Sequence, residues 1–371
     1  MPPSETAADW IDRPDALREW LAAMPADAMV GMDTEFMRRN TFHPQLALLQ
    51  LGWNGRHALV DPLAFDIGDA LQPQLGAGPA TTVMHSAGED LETLAPLLPD
   101  GPHILFDTQI AAAFVGMGLG LSYRALVAEL AGVELDKGET RSDWLQRPLT
   151  DSQRRYAALD VVYLQTIHEQ LAERLFRRDR RAWHAEDCAR LKQRASHRDG
   201  DPQPQRALRA AADWPVARQA LLAPPAAVAR PRRTPPRRAA PVAAGRHAGA
   251  EPGATAAGQP SPTSEQRGRG QRALRAAQRS DLFELLAPAV DDGEIAATAR
   301  IPGHPQGEAK KALAAMKTLV DTLAGELDLP PGLLCPRKAL EEYVVTAEWP
   351  EFLEGWRREV LHDRLVPLLP G

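Results

Sequence analysis

The sequence predicts an α/β domain followed by an all-α region, with a segment between them that cannot build a core. Three observations lead there. Over residues 1–200 short β-like runs alternate with helical patterns, and beyond about residue 264 helical periodicity returns. Between them, Pro224 to Thr263 contains no Leu, Ile, Met or aromatic residue in forty positions. A stretch of that composition buries too little apolar surface to offset the entropy of ordering it. At 371 residues the chain is long enough for two or three domains.

The elements follow in order. Met29 to Phe36, Leu46 to Trp53 and His57 to Val60 read as three strands, with Asn54-Gly55 as a hairpin signal between the last two. Thr81 to His85 and His103 to Phe106 read as two more, each followed by a helical stretch. Thr150 is placed as an N-cap, with Gln153 three residues on completing a capping box, and opens one long helix through about Arg177. Tyr156, Leu159, Tyr163, Ile167 and Leu171 recur along it at helical spacing and are expected to form its buried face. In the last hundred or so residues Leu313, Met316, Val320 and Leu323 share one helical face. Leu353, Trp356 and Val360 share another, and Pro330-Pro331-Gly332 and Trp349-Pro350 break the pattern.

Composition narrows the function class. Two cysteines, Cys188 and Cys335, have no CxxC or Cys/His partner at metal-ligand spacing, which excludes a zinc cluster or disulfide framework and makes a reducing cytosol the default. The amino terminus lacks the basic-then-apolar pattern of a secretory signal, and no run of about 18 apolar residues offers a membrane span. The net charge of −6 is uneven. Residues 1–200 carry 20 basic and 29 acidic side chains, 201–280 carry 14 and 4, and 281–371 carry 9 and 16. The acidic bias of the first part argues against a broad electrostatic nucleic-acid surface there.

Four carboxylates and a tyrosine carry the chemistry. Asp33 and Glu35 lie two apart on a predicted strand, so both point to one face. Asp90 follows where a strand passes into a helix, and Tyr156 and Asp160 are four apart on the long helix. Anions gathered this way repel unless cations sit between them. Such a set suits two Mg²⁺ or Mn²⁺ ions, which prefer carboxylate oxygen and can drive an in-line displacement at phosphorus. Tyr156 is too weak an acid to serve as main base near neutrality and would orient the attacking water. Each piece also has a plainer reading: a solvated strand end for Asp33 and Glu35, a packed ring beside an exposed carboxylate for Tyr156 and Asp160. Their order within one domain favours the metal reading.

Those residues also carry a resemblance. DTEF at 33–36, HSAGEDLETL at 85–94 and YAALDVVYL at 156–164 resemble the three motifs of the DEDDy branch of the DnaQ-like 3′–5′ exonucleases. TFHPQLALLQL (41–51), ALVDPL (58–63), FDTQIAAAF (106–114) and LDKGETRSDW (135–144) are similar to the bacterial ribonuclease D family in particular. The resemblance implies an RNase H-like mixed sheet flanked by helices. It assigns Asp33, Glu35, Asp90 and Asp160 as metal ligands and Tyr156 as the water-positioning residue. It further implies release of 5′-mononucleotides from RNA 3′ ends, with tRNA precursors and other structured RNAs as substrates. Lys137 and Arg141, in a polar loop, are candidates for the RNA backbone, with a solvated basic loop as the alternative. Phe36 and His85 are candidates for contacting the terminal nucleotide, with core packing as the alternative for Phe36 and a satisfied core histidine as the alternative for His85.

The expected organisation is an exonuclease domain over 1–195 and the start of a first HRDC-like helical module over 196–223. A disordered or frameshifted Ala/Pro/Arg-rich segment over 224–263 and an HRDC-like helical region over 264–371 complete it. Loss of family-like text at 224 and its recovery near 264 fit either a low-complexity insertion or compensating frameshifts in GC-rich codons. The expected activity is a divalent-metal-dependent 3′–5′ exoribonuclease acting in tRNA 3′ processing in the cytoplasm, with no membrane association and no obligate protein partner. A 3′–5′ exodeoxyribonuclease is the nearest alternative, and a catalytically dead RNA-binding protein would require loss of an acid that this chain retains.

Overall fold

A six-stranded mixed sheet organises the first two hundred residues of the computed structural model, which describes residues 8–38, 44–136, 138–139, 142–196, 203–222 and 291–370. Lys137, Arg141 and the segment 224–263 therefore lie outside the described residues. The strands are β1 (Asp9–Ile11), β2 (Met29–Met37), β3 (Gln45–Trp53), β4 (Arg56–Val60), β5 (Thr81–Met84) and β6 (Ile104–Asp107), in the order β1-β4-β3-β2-β5-β6. β2, β3 and β4 are antiparallel neighbours, while β5 and β6 extend the sheet in parallel with β2, and β1 runs parallel to β4. All five strands read from the sequence are present; the three-residue β1 is an addition too short to show a period. Asn54 and Gly55 both take positive φ, 48° and 75°, as the tight hairpin between β3 and β4 requires.

The helices are α1 (Pro14–Ala22), α2 (Gly68–Leu71), α3 (Gly88–Leu94), α4 (Thr108–Phe114), α5 (Tyr123–Leu126), α6 (Asp151–Val162), α7 (Leu164–Arg177) and α8 (Arg181–Ser196). α1 and α3 pack with Val30, Met32, Leu49 and Leu51 on one face of the sheet. The other face receives the junction of α6 and α7, and two opposed glycines make that possible. Gly31 and Gly52 are paired across β2 and β3. A Cβ at either would stand 3.3 Å and 3.2 Å, respectively, from the Val161 carbonyl oxygen, tighter than ordinary contact. Their missing side chains let the last turn of α6 rest almost on the strands.

The single long helix expected from Thr150 is two helices. α6 ends at Val162, Tyr163 caps it at φ −97°, ψ −4°, and α7 starts at Leu164. The buried stripe runs through Ala157, Ala158 and Val161 on α6 and Leu164, Ile167, Leu171 and Leu175 on α7. Tyr163, Ile167 and Leu171 are buried as expected, whereas Tyr156 and Leu159 are only half-buried. No helix among the described residues is long and apolar enough to cross a membrane.

Residues 302–371 belong to the same compact unit as residues 1–201. They form α11 (Gly307–Glu326), α12 (Pro331–Leu334), α13 (Arg337–Thr346) and α14 (Trp356–Leu365), after α9 (Val216–Ala220) and α10 (Asp292–Ala297) in the second unit. That second unit spans Pro202–Ile301, where the Gln219 side chain donates to the carbonyls of Ala212 and Trp214 and accepts from the Ile301 amide. Met316, Val320 and Leu323 are buried as their spacing predicts. The attachment of α14 was not legible in that way, because its centre is a charge. Arg357, 1% exposed, makes a bidentate pair with Asp187 of α8 at 2.6 Å for both bonds, and its Nε donates to the Leu333 carbonyl. Trp356 donates its indole N–H to the same carboxylate and stacks on Trp183 at 4.6 Å.

Removing one partner of a buried, fully bonded pair leaves the other charge without compensation, at a cost of about 3–5 kcal/mol. Asp187→Ala is therefore expected to lower the unfolding free energy by about that amount, read from urea denaturation. A midpoint shift no larger than that of a surface substitution would contradict the assignment.

Candidate active site

β2 presents Gly31, Asp33 and Glu35 on the face that meets α6. Because the two glycines bring the end of α6 down onto the strands, Asp160 arrives beside them. Asp33, Glu35 and Asp160 each offer a carboxylate oxygen, and these oxygens all lie within 4.8 Å of one another. The start of α6 is fixed by the expected capping box: Thr150 Oγ1 accepts from the Gln153 amide at 3.2 Å and Gln153 Oε1 accepts from the Thr150 amide at 3.0 Å. The four-residue spacing then sets Tyr156 one turn before Asp160.

Asp90 comes from α3, on the opposite face, and is outside that group of three. Thr34, between the two β2 carboxylates, donates its hydroxyl to Asp90. The loop preceding α3 is held by Asp107, at the end of β6. Asp107 caps α4 by accepting from the amides of Gln109 and Ile110, and its second oxygen accepts from the Ala87 amide at 2.8 Å. His85 pairs through Nδ1 with Thr108 Oγ1 at 2.9 Å and, with Met32, Asp33, Tyr123, Asp160 and Leu164, lines a cavity of about 70 Å³.

Electrostatics confirms how unusual the cluster is. Burial, then the charges of Asp90, Asp160 and Glu35, hold the Asp33 carboxyl well above its ordinary range. Burial, then Asp160 and Asp90, raise Glu35 to about 9; burial, then Asp90, raises Asp160 to about 7. Burial raises Asp90 to about 6 against the lowering effect of the Thr34 hydrogen bond. The forces that dominate are desolvation and other carboxylates, an environment that a bound cation would neutralise. An all-oxygen donor set of this kind fits a hard divalent cation such as Mg²⁺ or Mn²⁺ and does not fit a soft metal.

Tyr156 is half-buried, tilted against Trp144 with ring centroids 6.1 Å apart. The backbone of Gly138 lies against its ring, where a Cβ would overlap Cε2. Glu139 ties that loop down by accepting from the hydroxyls of Ser142 and Ser152, the latter one turn before Tyr156 on α6. Burial, then the charges of Asp160, Glu35 and Asp33, raise the Tyr156 phenol above its ordinary value.

The cavity thus gathers Asp33, Asp160 and His85, with Glu35 in the same cluster, and Tyr156 stands on the same helix as Asp160. Phe36 is not in the cavity lining; past the irregularity between Glu35 and Phe36 it pairs with Leu46 and is half-buried. Three contributors escaped the sequence reading. Tyr123, whose hydroxyl donates to the Leu159 carbonyl at 3.0 Å, follows an ordinary Ser N-cap and carries no motif. Thr34 and Asp107 sit inside family-like segments, but their roles depend on long-range partners that spacing does not reveal.

Comparisons with known proteins identify the family. A family model described as 3′–5′ exonuclease matches residues 8–175. Ribonuclease D of Xanthomonas oryzae pv. oryzae is 38% identical over 367 residues, covering 97% of this chain and 98% of that protein. Ribonuclease D of Escherichia coli K12 is 43% identical over 162 residues, 43% of each chain. The crystal structure of Escherichia coli RNase D, described as an exoribonuclease involved in structured RNA processing, superposes with a TM-score of 0.71 at 25% identity, covering 98% of each chain. A protein from Bifidobacterium adolescentis shares the fold at 18% identity, with a TM-score of 0.60 over 98% of this chain and 97% of that one. Identity across almost the whole length of the Xanthomonas protein, together with the carboxylate cluster, places the chain in the ribonuclease D family of 3′–5′ exoribonucleases.

Proposed function

We propose that the chain trims RNA 3′ ends, tRNA precursors and other structured RNAs among them, releasing nucleoside 5′-monophosphates in the cytoplasm with Asp33, Glu35, Asp90 and Asp160 holding two divalent cations. The observation that carries this reading is the meeting of Asp33, Glu35 and Asp160 oxygens within 4.8 Å, on elements from both ends of the exonuclease region. Likeness to the Escherichia coli exoribonuclease involved in structured RNA processing supports the choice of structured RNA. Mg²⁺ or Mn²⁺ bound there would supply Lewis acidity for activating water and for neutralising charge on the leaving oxygen.

The protein's own groups do the rest. Tyr156, raised above its ordinary value, keeps its proton and donates it in a hydrogen bond that orients the attacking water; it cannot act as the base. The Gly138 loop and Trp144 hold its ring in place. Burial lowers the His85 pKa, so the ring faces the terminal nucleotide as a neutral hydrogen-bonding group. Phe36 borders that nucleotide on the β2 side. Lys137 and Arg141 supply phosphate contacts from the loop before Trp144, and the helices of residues 302–370 act as the HRDC-type support for the body of the RNA.

Three outcomes follow. Mononucleotide release from a 3′-labelled tRNA precursor should depend on Mg²⁺ or Mn²⁺, exceed release from single-stranded DNA run in parallel, and fall to background in Asp33→Ala and Asp160→Ala. Failure of the folded wild-type protein to release mononucleotides from either polymer would sink the proposal. Tyr156→Phe should lower kcat by about 100-fold while leaving Mn²⁺ binding intact.

The third outcome concerns pH. Carboxyls raised in the fold bind more protons there than in the unfolded chain, so the metal-free protein should lose stability as pH rises from about 4 towards 9. In EDTA at pH 8, Glu35→Gln should then melt roughly 2–4 °C above wild type, the shift about 1 kcal/mol produces in a domain of this size. Mn²⁺ should restore wild-type stability, with apparent affinity increasing across the same pH window as protons leave. A flat pH profile in EDTA would show that the carboxylates do not repel one another.

A further inference from the structure

Gln50 takes no part in the site as built above, and its environment is anomalous. It lies in the middle of β3, 0% exposed, and neither its Oε1 nor its Nε2 has a hydrogen-bond partner among the described residues. Among the described residues it is the one side chain with two polar atoms buried and unpartnered; Trp20, Thr82, Arg154 and Gln205 each leave one. A primary amide sealed from water in this way destabilises the fold unless something pairs with it.

Its register sets it opposite a carboxylate. Gln50 is the residue directly opposite Asp33 in the antiparallel β2–β3 ladder. Directly opposed residues project from the same face, with Cβ atoms about 4.5–5.5 Å apart. The neighbouring pair along the ladder is Gly31 and Gly52, two residues away on each strand, and both meet Val161 of α6. Period-two alternation puts Gln50 on that same face, under the helix that carries Asp160 and beside the carboxylate of Asp33.

We infer that Gln50 is a positioning residue of the carboxylate site, its amide N–H donating to the Asp33 carboxylate when the site holds its cations. The inference rests on the proposed metal-dependent function. Outer partners of ligating carboxylates fix their orientation, and their loss typically weakens metal binding by roughly 10–100-fold. An unpaired buried amide costs stability, so its removal is not expected to weaken the fold where no cation is bound.

The test uses the full chain and Mn²⁺ alone as probe. Gln50→Leu and Gln50→Met keep most of the volume and remove the amide. Each should raise the Mn²⁺ dissociation constant at least about tenfold by calorimetry, while melting in EDTA at or above the wild-type temperature. A purely structural glutamine would behave the other way, with a lower melting temperature in EDTA and unchanged Mn²⁺ affinity, and that result overturns the assignment. Failure of both variants to fold in EDTA overturns it as well. Wild-type protein that binds no Mn²⁺ removes the metal reading and the Gln50 role together. Tight wild-type binding that both variants retain removes only the latter.

Discussion

Four carboxylates held where they repel one another are the constraint around which this fold is arranged. Asp33 and Glu35 are fixed by a central strand, Asp160 by a helix end and Asp90 by a helix on the far face. None can swing away to relieve the repulsion, because each backbone is set by neighbours that have other work. Gly31 and Gly52 bring α6 down, the Thr150–Gln153 capping box sets where that helix starts, and Asp107 anchors the loop that delivers α3. The cost of gathering the acids is carried by the hydrophobic layers on both faces of the sheet, which bury Leu49 and Leu51 on one side and Leu164 and Ile167 on the other. A site on rigid elements keeps its geometry before any ligand arrives.

The strands, the Asn54-Gly55 hairpin and the N-cap at Thr150 were legible because each is a local rule: period two, positive φ, an orphan amide to satisfy. The acids were legible because their spacing survives as spacing on a strand and on a helix. What escaped was non-local. The break at Tyr163 has no proline or glycine to announce it, so the run from Tyr156 to Leu171 read as one helix. Arg357 and Arg180 look like surface cations in the sequence, yet Arg357 is buried against Asp187 and Arg180 donates to the carbonyls of Phe114 and Leu327. Tyr123 became a cavity residue only through the path of the chain between α4 and α6.

α8 links two kinds of work. One side of it serves the exonuclease sheet: the imidazole of His184 meets the Asp107 carbonyl, and the Cys188 sulfur accepts from the Asp107 amide. The other serves the C-terminal helices through Asp187, Glu186 and Arg190, the last donating to the carbonyls of Phe352 and Glu354. Both cysteines are buried and free, and burial raises both thiols, so they are packing groups without redox chemistry.

The division of the chain adds something its linear order hides. Residues 1–201 and 302–371 form one unit, so the stretch from Pro202 to Ile301 is an excursion that leaves this unit and returns to it. Its ends are joined to a body already closed by the α8–α14 contacts, which lie outside the excursion. Changes in chain length between those ends therefore need not disturb the α8–α14 contacts.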